Sequence, residues 1–279
     1  MPELRNAVFR ATAPLRRTTV ARRSVADVIV CGAQKSGTTY LANLMASQPG
    51  FYSPPIKEIH FFNLHWAKGA DWYASHFQLR SSGALQVDAS PSYMIHPAVP
   101  DRINEVCPEA KVVFVLRDPV SRAYSHYQHN KRAGWEPLEF PEALAAEDGR
   151  ISADVGALEK DPNTLGVDYA LYSYRTRGLY HRFLERFYDV LGADKILVLD
   201  SKKVFGGDAE EFALLGEFVG RPVPPEAGVG QRTNAGTYAP EAGATSDATR
   251  AELREYFAPH DAQLVALTGR RFSWMPPTD

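Results

Sequence analysis

The run Lys57-Glu58-Ile59-His60-Phe61-Phe62 sets a carboxylate between a lysine and an imidazole, then adds two aromatic rings. A carboxylate so placed can take a proton from a hydroxyl. Burial against the rings would raise its pKa, and the neighbouring lysine would lower it. A salt-bridged loop over an aromatic cluster would use the same residues. Gly32-Ala33-Gln34-Lys35-Ser36-Gly37-Thr38-Thr39 carries different chemistry. Its glycines allow a tight turn, Lys35 brings a full positive charge, and the hydroxyls of Thr38 and Thr39 can donate. With a helix starting behind it, such a turn suits an anion, because unpaired N–H groups and the helix dipole converge there. Arg117 and Ser125 form a third group. Arg117 closes an apolar run, and Ser125 shares a face with Arg122 on the helix expected next.

The glycine turn departs from the standard nucleoside-triphosphate loop. That loop places lysine directly after its second glycine. Here Thr38 follows Gly37, and Lys35 lies inside the turn. A tight strand-to-helix turn can also need glycine for structural reasons alone. Arg117 could equally serve as an ion-pair partner for Asp118 or another local acid.

The elements that must position these groups alternate between strand and helix. Val28–Cys31 is short, apolar and rich in β-branched residues, as a buried strand is. Past Gly37 the apolar period turns helical, at Leu41, Leu44 and Met45. Pro54 and Pro55 enforce an extended approach to Glu58. A short helix is expected within 68–77, a strand over Leu85–Asp88, a turn over Ala89–Tyr93 and a helix over Pro97–Val106. Lys111–Leu116 reads as a central parallel strand covered on both faces. Asp118 then suits an N-cap and Pro119 the first helical position. Arg117 therefore stands at the carboxyl end of a central strand, where open α/β sheets bind ligands.

Glu136 to Val167 is expected to form a helix and then a mobile loop near the acceptor side. Asp168–Leu191 reads as one helix, ended by Gly192, with Tyr180, Phe183, Leu184, Phe187, Tyr188 and Leu191 as its core stripe. Lys195–Asp200 is a further strand and Glu210–Val219 a further helix. Residues 221–244 are rich in proline and glycine, and Gln231-Arg232-Thr233-Asn234 is a polar island there that could close over a ligand. A last helix is expected from Ser246 to a break at Pro259, with Phe272 and Trp274 tying down the tail.

The chain of 279 residues is long enough for one large α/β domain. A net charge of −2 gives no global basic field for nucleic acid. No apolar run approaches the length of a membrane span. The two cysteines, Cys31 and Cys107, make neither a disulfide framework nor a metal-ligand spacing, so no metal is expected and a cytoplasmic setting fits best. Residues 1–25 carry an excess of arginine without an apolar core and read as a disordered arm ahead of a domain over 26–279.

Together these segments resemble the sulfotransferases that use 3′-phosphoadenosine 5′-phosphosulfate (PAPS). The likeness is to the carbohydrate branch: heparan sulfate N- and O-sulfotransferases and their bacterial relatives. Gly32 to Thr39 is similar to that family's 5′-phosphosulfate loop. Lys57 to Phe62, with Lys68-Gly69-Ala70-Asp71-Trp72-Tyr73, is similar to its catalytic segment. Leu116 to Tyr127 is similar to its 3′-phosphate segment, and the loop before Tyr238 to its C-terminal loop.

The resemblance implies a P-loop-containing three-layer α/β/α fold with a central parallel sheet, PAPS as donor and no metal. It implies Lys35, Ser36, Gly37, Thr38 and Thr39 at the 5′-phosphosulfate and Glu58 as the general base. Arg117 and Ser125 would lie at the 3′-phosphate, with Arg232 and Asn234 over the donor. Lys57, His60 and Asp88 would stand on the side of a glycan, glycolipid or glycosylated small-molecule acceptor. The chain departs from the heparan enzymes at Ala89, where they often carry lysine, and lacks their Lys-Gly-Arg pattern in the late loop. A P-loop kinase or NTPase, with Asp200 toward Mg²⁺, is the rival reading. A nucleotide- or carbohydrate-binding module without catalysis is another.

Overall fold

Side chains alternate along a strand, and in Val28–Gly32 and over 112–116 both alternating sets are apolar, so the sheet must be covered twice. The structure, a computed structural model, describes residues 9, 11–12, 23–164, 166–225 and 247–277. The chain enters β1 (Val28–Gly32), turns into α1 (Thr38–Ser47), and passes through β2 (Phe51–Tyr52), α2 (Phe61–Leu64) and α3 (Gly69–Ala74). There follow β3 (Leu85–Ala89), α4 (Val99–Val106), β4 (Lys111–Leu116) and α5 (Pro119–Arg132). Three helices, α6 (Phe140–Lys160), α7 (Val167–Tyr172) and α8 (Tyr180–Leu191), lead to β5 (Ile196–Asp200). The described chain closes with α9 (Ser201–Gly206), α10 (Ala209–Val219) and α11 (Asp247–Thr268).

The five strands pair in parallel in the order β2-β3-β1-β4-β5. Ile29, Cys31, Val112, Phe114 and Leu116 point to one face, against Ile103 of α4 and Leu184 and Phe187 of α8. Val28, Val30, Val113 and Val115 point to the other, against Leu41 and Leu44 of α1 and Phe212 and Leu215 of α10. The result is the three-layer α/β/α arrangement expected. From β1 the chain first builds toward β2, then returns to add β4 and β5 on the other side. The switch point lies between β1 and β4, so a crevice opens beyond their carboxyl ends.

Three expectations are corrected. Most of 136–167 is helix, not mobile loop. Pro141 lies in the first turn of α6, and Glu139 and Glu142 form a capping box there. Asp168–Leu191 is two helices, not one. The buried Glu147 carboxylate accepts from the backbone N–H of Arg175 at 2.7 Å and of Thr176 at 2.8 Å, offering these amides a partner outside a helix. Glycine at 178 lets α8 start against α11, since a Cβ there would lie 2.6 Å from the Phe257 ring. Finally, α11 does not break at Pro259. Its buried residues Leu253, Phe257 and Leu264 continue one stripe past the proline, which is exposed. Water can therefore satisfy the carbonyl that proline leaves unpaired.

Phe187 is buried, with its ring edge-on to Phe114 at 4.9 Å. Phe187→Ala should lower stability by about 3–5 kcal/mol, read as an earlier urea midpoint at unchanged slope. A loss under about 1 kcal/mol would mean that α8 is not a principal cover of the sheet.

Candidate active site

The loop after β1 is held from several sides. The Ala33 N–H donates to Val115 O of β4 at 2.8 Å. Gln34 Oε1 accepts from the guanidinium of Arg177, which is itself buried and bonded to Ser173 Oγ and Ala170 O. Ser201 Oγ donates to Ser36 O at 2.8 Å. Gly37 has φ 99°, and a Cβ on it would meet the Phe205 ring at 2.5 Å, so both conformation and space require glycine. Gly37 is also the N-cap of α1 and brings no capping side chain, and no acid lies in the first turn. The first-turn N–H groups therefore face the crevice without a side-chain acceptor from the cap. Ser36 Oγ is fully buried without a hydrogen-bond partner among the described residues. Such an orphaned donor, with Lys35 beside it, fits an oxyanion.

Across the switch point, Arg117 leaves β4 and its Nη1 lies 3.4 Å from Lys35 O. The Tyr180 hydroxyl fixes the Arg117 carbonyl at 2.7 Å. Asp118 caps α5 through the N–H groups of Val120 and Ser121, and pairs with Arg254 of α11 at 2.7 Å. Ser125 is buried on α5. Lys35 is near enough to α5 to help depress His126 and His129, after burial and, for His126, Arg177 and Arg122. The lysine loop and the Arg117–Ser125 segment thus stand together on one side of the molecule. Arg122, on the same helix, is fully buried; it donates to Tyr174 O, its Nε and Nη1 have no partner among the described residues, and its charge acts on Arg177 and His126.

Glu58 sits across a cleft of about 350 Å³ whose walls include Thr38, Thr39, Lys57, Glu58 and Asp88. One Glu58 oxygen lies 3.3 Å from His60 Nε2 and the other 3.3 Å from Lys57 Nζ. The His60 hydrogen bond holds the carboxyl below its ordinary value, against burial, with Lys57 adding to the effect. The salt-bridged loop over an aromatic cluster is present: the Lys57–Glu58 pair and the Glu58–His60 contact lie at the surface, and beneath them Phe61 is stacked on Tyr73 at 4.6 Å and edge-on to Phe62 at 5.0 Å. Among the described residues, the non-glycine residues with positive φ are Lys35 (70°), Glu58 (57°) and His60 (54°). Each such residue carries strain of about 1–3 kcal/mol, and such strain collects at functional sites.

A family model described as a sulfotransferase domain matches residues 26–233. The chain belongs to the sulfotransferase family. The sulfotransferase is 31% identical over 205 residues to the human bifunctional heparan sulfate N-deacetylase/N-sulfotransferase 1, covering 69% of this chain and 22% of that protein. It is 24% identical over 269 residues to the mouse heparan sulfate glucosamine 3-O-sulfotransferase 5, covering 88% and 73%. A solved sulfotransferase from Alicyclobacillus acidocaldarius superposes with TM-score 0.71 at 27% identity, covering 90% of this chain and 98% of that one. The chain spans only 20–26% of the length of several curated relatives it matches.

Of the residues expected at the sulfotransferase site, Lys35 to Thr39, Arg117 and Ser125 gather around the switch point, and Lys57, Glu58, His60 and Asp88 line or adjoin the cleft. Arg232 and Asn234 lie outside the described residues, as does most of the basic arm. Sequence reasoning missed Arg177 and expected Asp88 on the acceptor side rather than as a support. Arg177 has no local motif to mark it. Asp88 is a hub, its carboxylate accepting from Tyr73 at 3.1 Å, Tyr93 at 2.9 Å and Ser90 at 2.9 Å. The same Tyr93 hydroxyl accepts from the Phe61 N–H at 2.8 Å, and Ser90 Oγ lies 3.3 Å from the His60 N–H. Asp88 therefore fixes the backbone of the segment that carries Glu58 and His60.

Burial pushes the Asp88 carboxyl up to about 6, against the pull of Ser90, Tyr93 and Tyr73. The folded state then takes up this proton before the unfolded one, so stability should fall as pH rises from about 4 to about 6. A shift of roughly 2 units corresponds to about 3 kcal/mol. Asp88→Asn keeps an acceptor for the tyrosines and should flatten that part of the stability–pH curve, measured by urea unfolding. An unchanged slope would remove Asp88 as its source.

Proposed function

We propose that this sulfotransferase moves a sulfuryl group from PAPS to a hydroxyl, or less readily an amine, of a sugar-containing acceptor. The observation that carries the reading is the meeting of Lys35 and Arg117 across the switch point, with Glu58 facing the same crevice over the cleft. A donor with phosphate at both ends of one nucleoside needs two anion pockets side by side. Lys35 with the N-terminus of α1 makes one, and Arg117 with Ser125 makes the other. The orphaned Ser36 hydroxyl and the glycine cradle at Gly37 fit a phosphate oxygen. The heparan sulfate relatives support a glycan acceptor.

Bound PAPS supplies a sulfuryl group on a phosphate leaving oxygen. Glu58 takes the proton of the attacking hydroxyl. Its Oε2 is engaged by His60, whereas Oε1 meets only Lys57, whose side chain is 54% exposed and can swing away. The contact with His60 keeps Glu58 ionised and ready to accept, while the departure of Lys57 restores some of its basicity. Lys35 and the α1 N-terminus meet the negative charge that grows on the leaving side. They act more strongly on the transition state than on the ground state.

The kinase reading loses its metal ligand. Asp200 Oδ1 accepts from the Lys202 N–H at 2.8 Å and Oδ2 from the Ser273 N–H at 2.6 Å, so its carboxylate caps α9 and anchors the C-terminal segment. The buried free thiols Cys31 and Cys107 fit a reducing, cytoplasmic setting. Among the described residues no helix is long and apolar enough to cross a membrane.

Glu58→Gln should lower sulfuryl transfer to a glycan acceptor by about 10²–10⁴-fold while 3′-phosphoadenosine 5′-phosphate still binds in EDTA by calorimetry. Unchanged turnover would remove Glu58 as the base, and binding that requires Mg²⁺ would favour the kinase. Lys35→Ala should cost on the order of 10²–10³ in kcat, and a loss confined to KM would place Lys35 in ground-state binding alone.

A further inference from the structure

His60 faces Glu58 through Nε2, and its other ring nitrogen is engaged as well. His60 Nδ1 lies 3.0 Å from Ser92 Oγ, and Ser92 Oγ accepts from Asn63 Nδ2 at 3.0 Å. The direction of this chain can be worked out from one end. The Leu64 N–H donates to Asn63 Oδ1 at 2.9 Å, which fixes the oxygen side of that amide and turns its N–H₂ toward Ser92. Asn63 is buried, so the orientation is held by packing as well. With one lone pair taken by Asn63, the Ser92 hydroxyl can give its proton to His60 Nδ1. Nδ1 is then the acceptor of a neutral ring, and Nε2 must carry the proton. That proton points at Glu58 Oε2.

We propose that Asn63 and Ser92 are positioning residues that hold His60 in its Nε2–H tautomer, so that one Glu58 oxygen stays hydrogen-bonded and the other is presented to the acceptor. The inference rests on Glu58 being the base. It also gives the left-handed backbone of His60 a purpose. At φ 54° the ring is turned between Glu58 and Ser92, and the Ser90 hydroxyl meets the His60 N–H from the same turn. Ser90-Pro91-Ser92-Tyr93 thus serves the catalytic segment through its hydroxyls. Ser90 and Tyr93 hold backbone, and Ser92 sets a proton.

The charged and titratable neighbours are few. Lys57 and His60 face Glu58. Asp88 acts on His60 from the end of β3, and His65, itself beside Lys68, acts on it from the segment after α2. None of them bonds to Nδ1, so Ser92 is the group whose removal frees the tautomer.

The test combines spectra and kinetics. ¹⁵N spectra of the full chain labelled at histidine should show His60 protonated on Nε2 and bare on Nδ1 near neutral pH. Ser92→Ala should mix the tautomers, lower kcat by about tenfold and move the acid limb of the kcat–pH profile upward, since Glu58 loses a charge-assisted bond. Affinity for 3′-phosphoadenosine 5′-phosphate should not change. Ser92→Thr should restore both limb and rate. Asn63→Asp would draw the Ser92 proton to itself and should copy Ser92→Ala. A proton on Nδ1 in the unmodified protein, or a Ser92→Ala enzyme with unaltered kcat and acid limb, overturns the proposal. Turnover retained in Glu58→Gln would instead overturn the base assignment, and the spectra would still report on the chain from Asn63 to His60.

Discussion

Parallel pairing of β1 with β4 is the constraint on which the site depends. The register pairs Val30 with Val113, then slips so that Gly32 faces Phe114. Immediately beyond, the Ala33 N–H reaches Val115 O, which carries the loop one step further along β4. This brings Lys35 to the level of Arg117. Two cationic segments far apart in the chain are thereby pressed together by a hydrophobic ladder, not by any attraction of their own. The apolar burial of both strands offsets the repulsion between the charges they deliver.

A second cost is met by hydrogen bonds. Glu58 and His60 stand in a conformation that side chains with a Cβ avoid. Their backbone stays there because Tyr93 and Ser90, both tied to the buried Asp88, take up the N–H groups that follow. Phe61, Phe62 and Tyr73 then seal the hub from water, which strengthens each bond in it. Burial of Asp88 would be unfavourable without its three hydroxyl donors. With them, a deeply buried carboxylate fixes the segment that carries a shallower one.

Beneath the crevice lies a further layer of buried cations. Arg177 is pushed down to about 10 by burial and by Arg122 nearby. Glu147 is the buried acid in their reach, and its oxygens are already given to backbone N–H groups. Arg177 joins the break between α7 and α8 to Gln34 of the loop. The same break that interrupts the expected helix therefore places a side chain under the glycine turn.

From residue order alone came the strands Val28–Cys31 and Lys111–Leu116, the glycine turn, the Asp118 cap, and the identity of the lysine, glutamate and arginine set against the crevice. These follow from local rules: apolar runs, the backbone freedom of glycine, and the chemistry of each side chain. The sequence also overextended one helix across 173–179 and broke another at Pro259, because Glu147 and the exposure of Pro259 act from outside the local window. Only the tertiary structure decided that Lys35 and Arg117 touch, that Arg122 is fully buried, and that Asp88, Arg177, Ser92 and Asn63 support the site. Several of those roles arise from pairings between segments far apart in the chain, such as Ser92 with His60 and Arg177 with Gln34. No short-range pattern records them, since a hydrogen bond across the fold leaves the residue types on either side unconstrained.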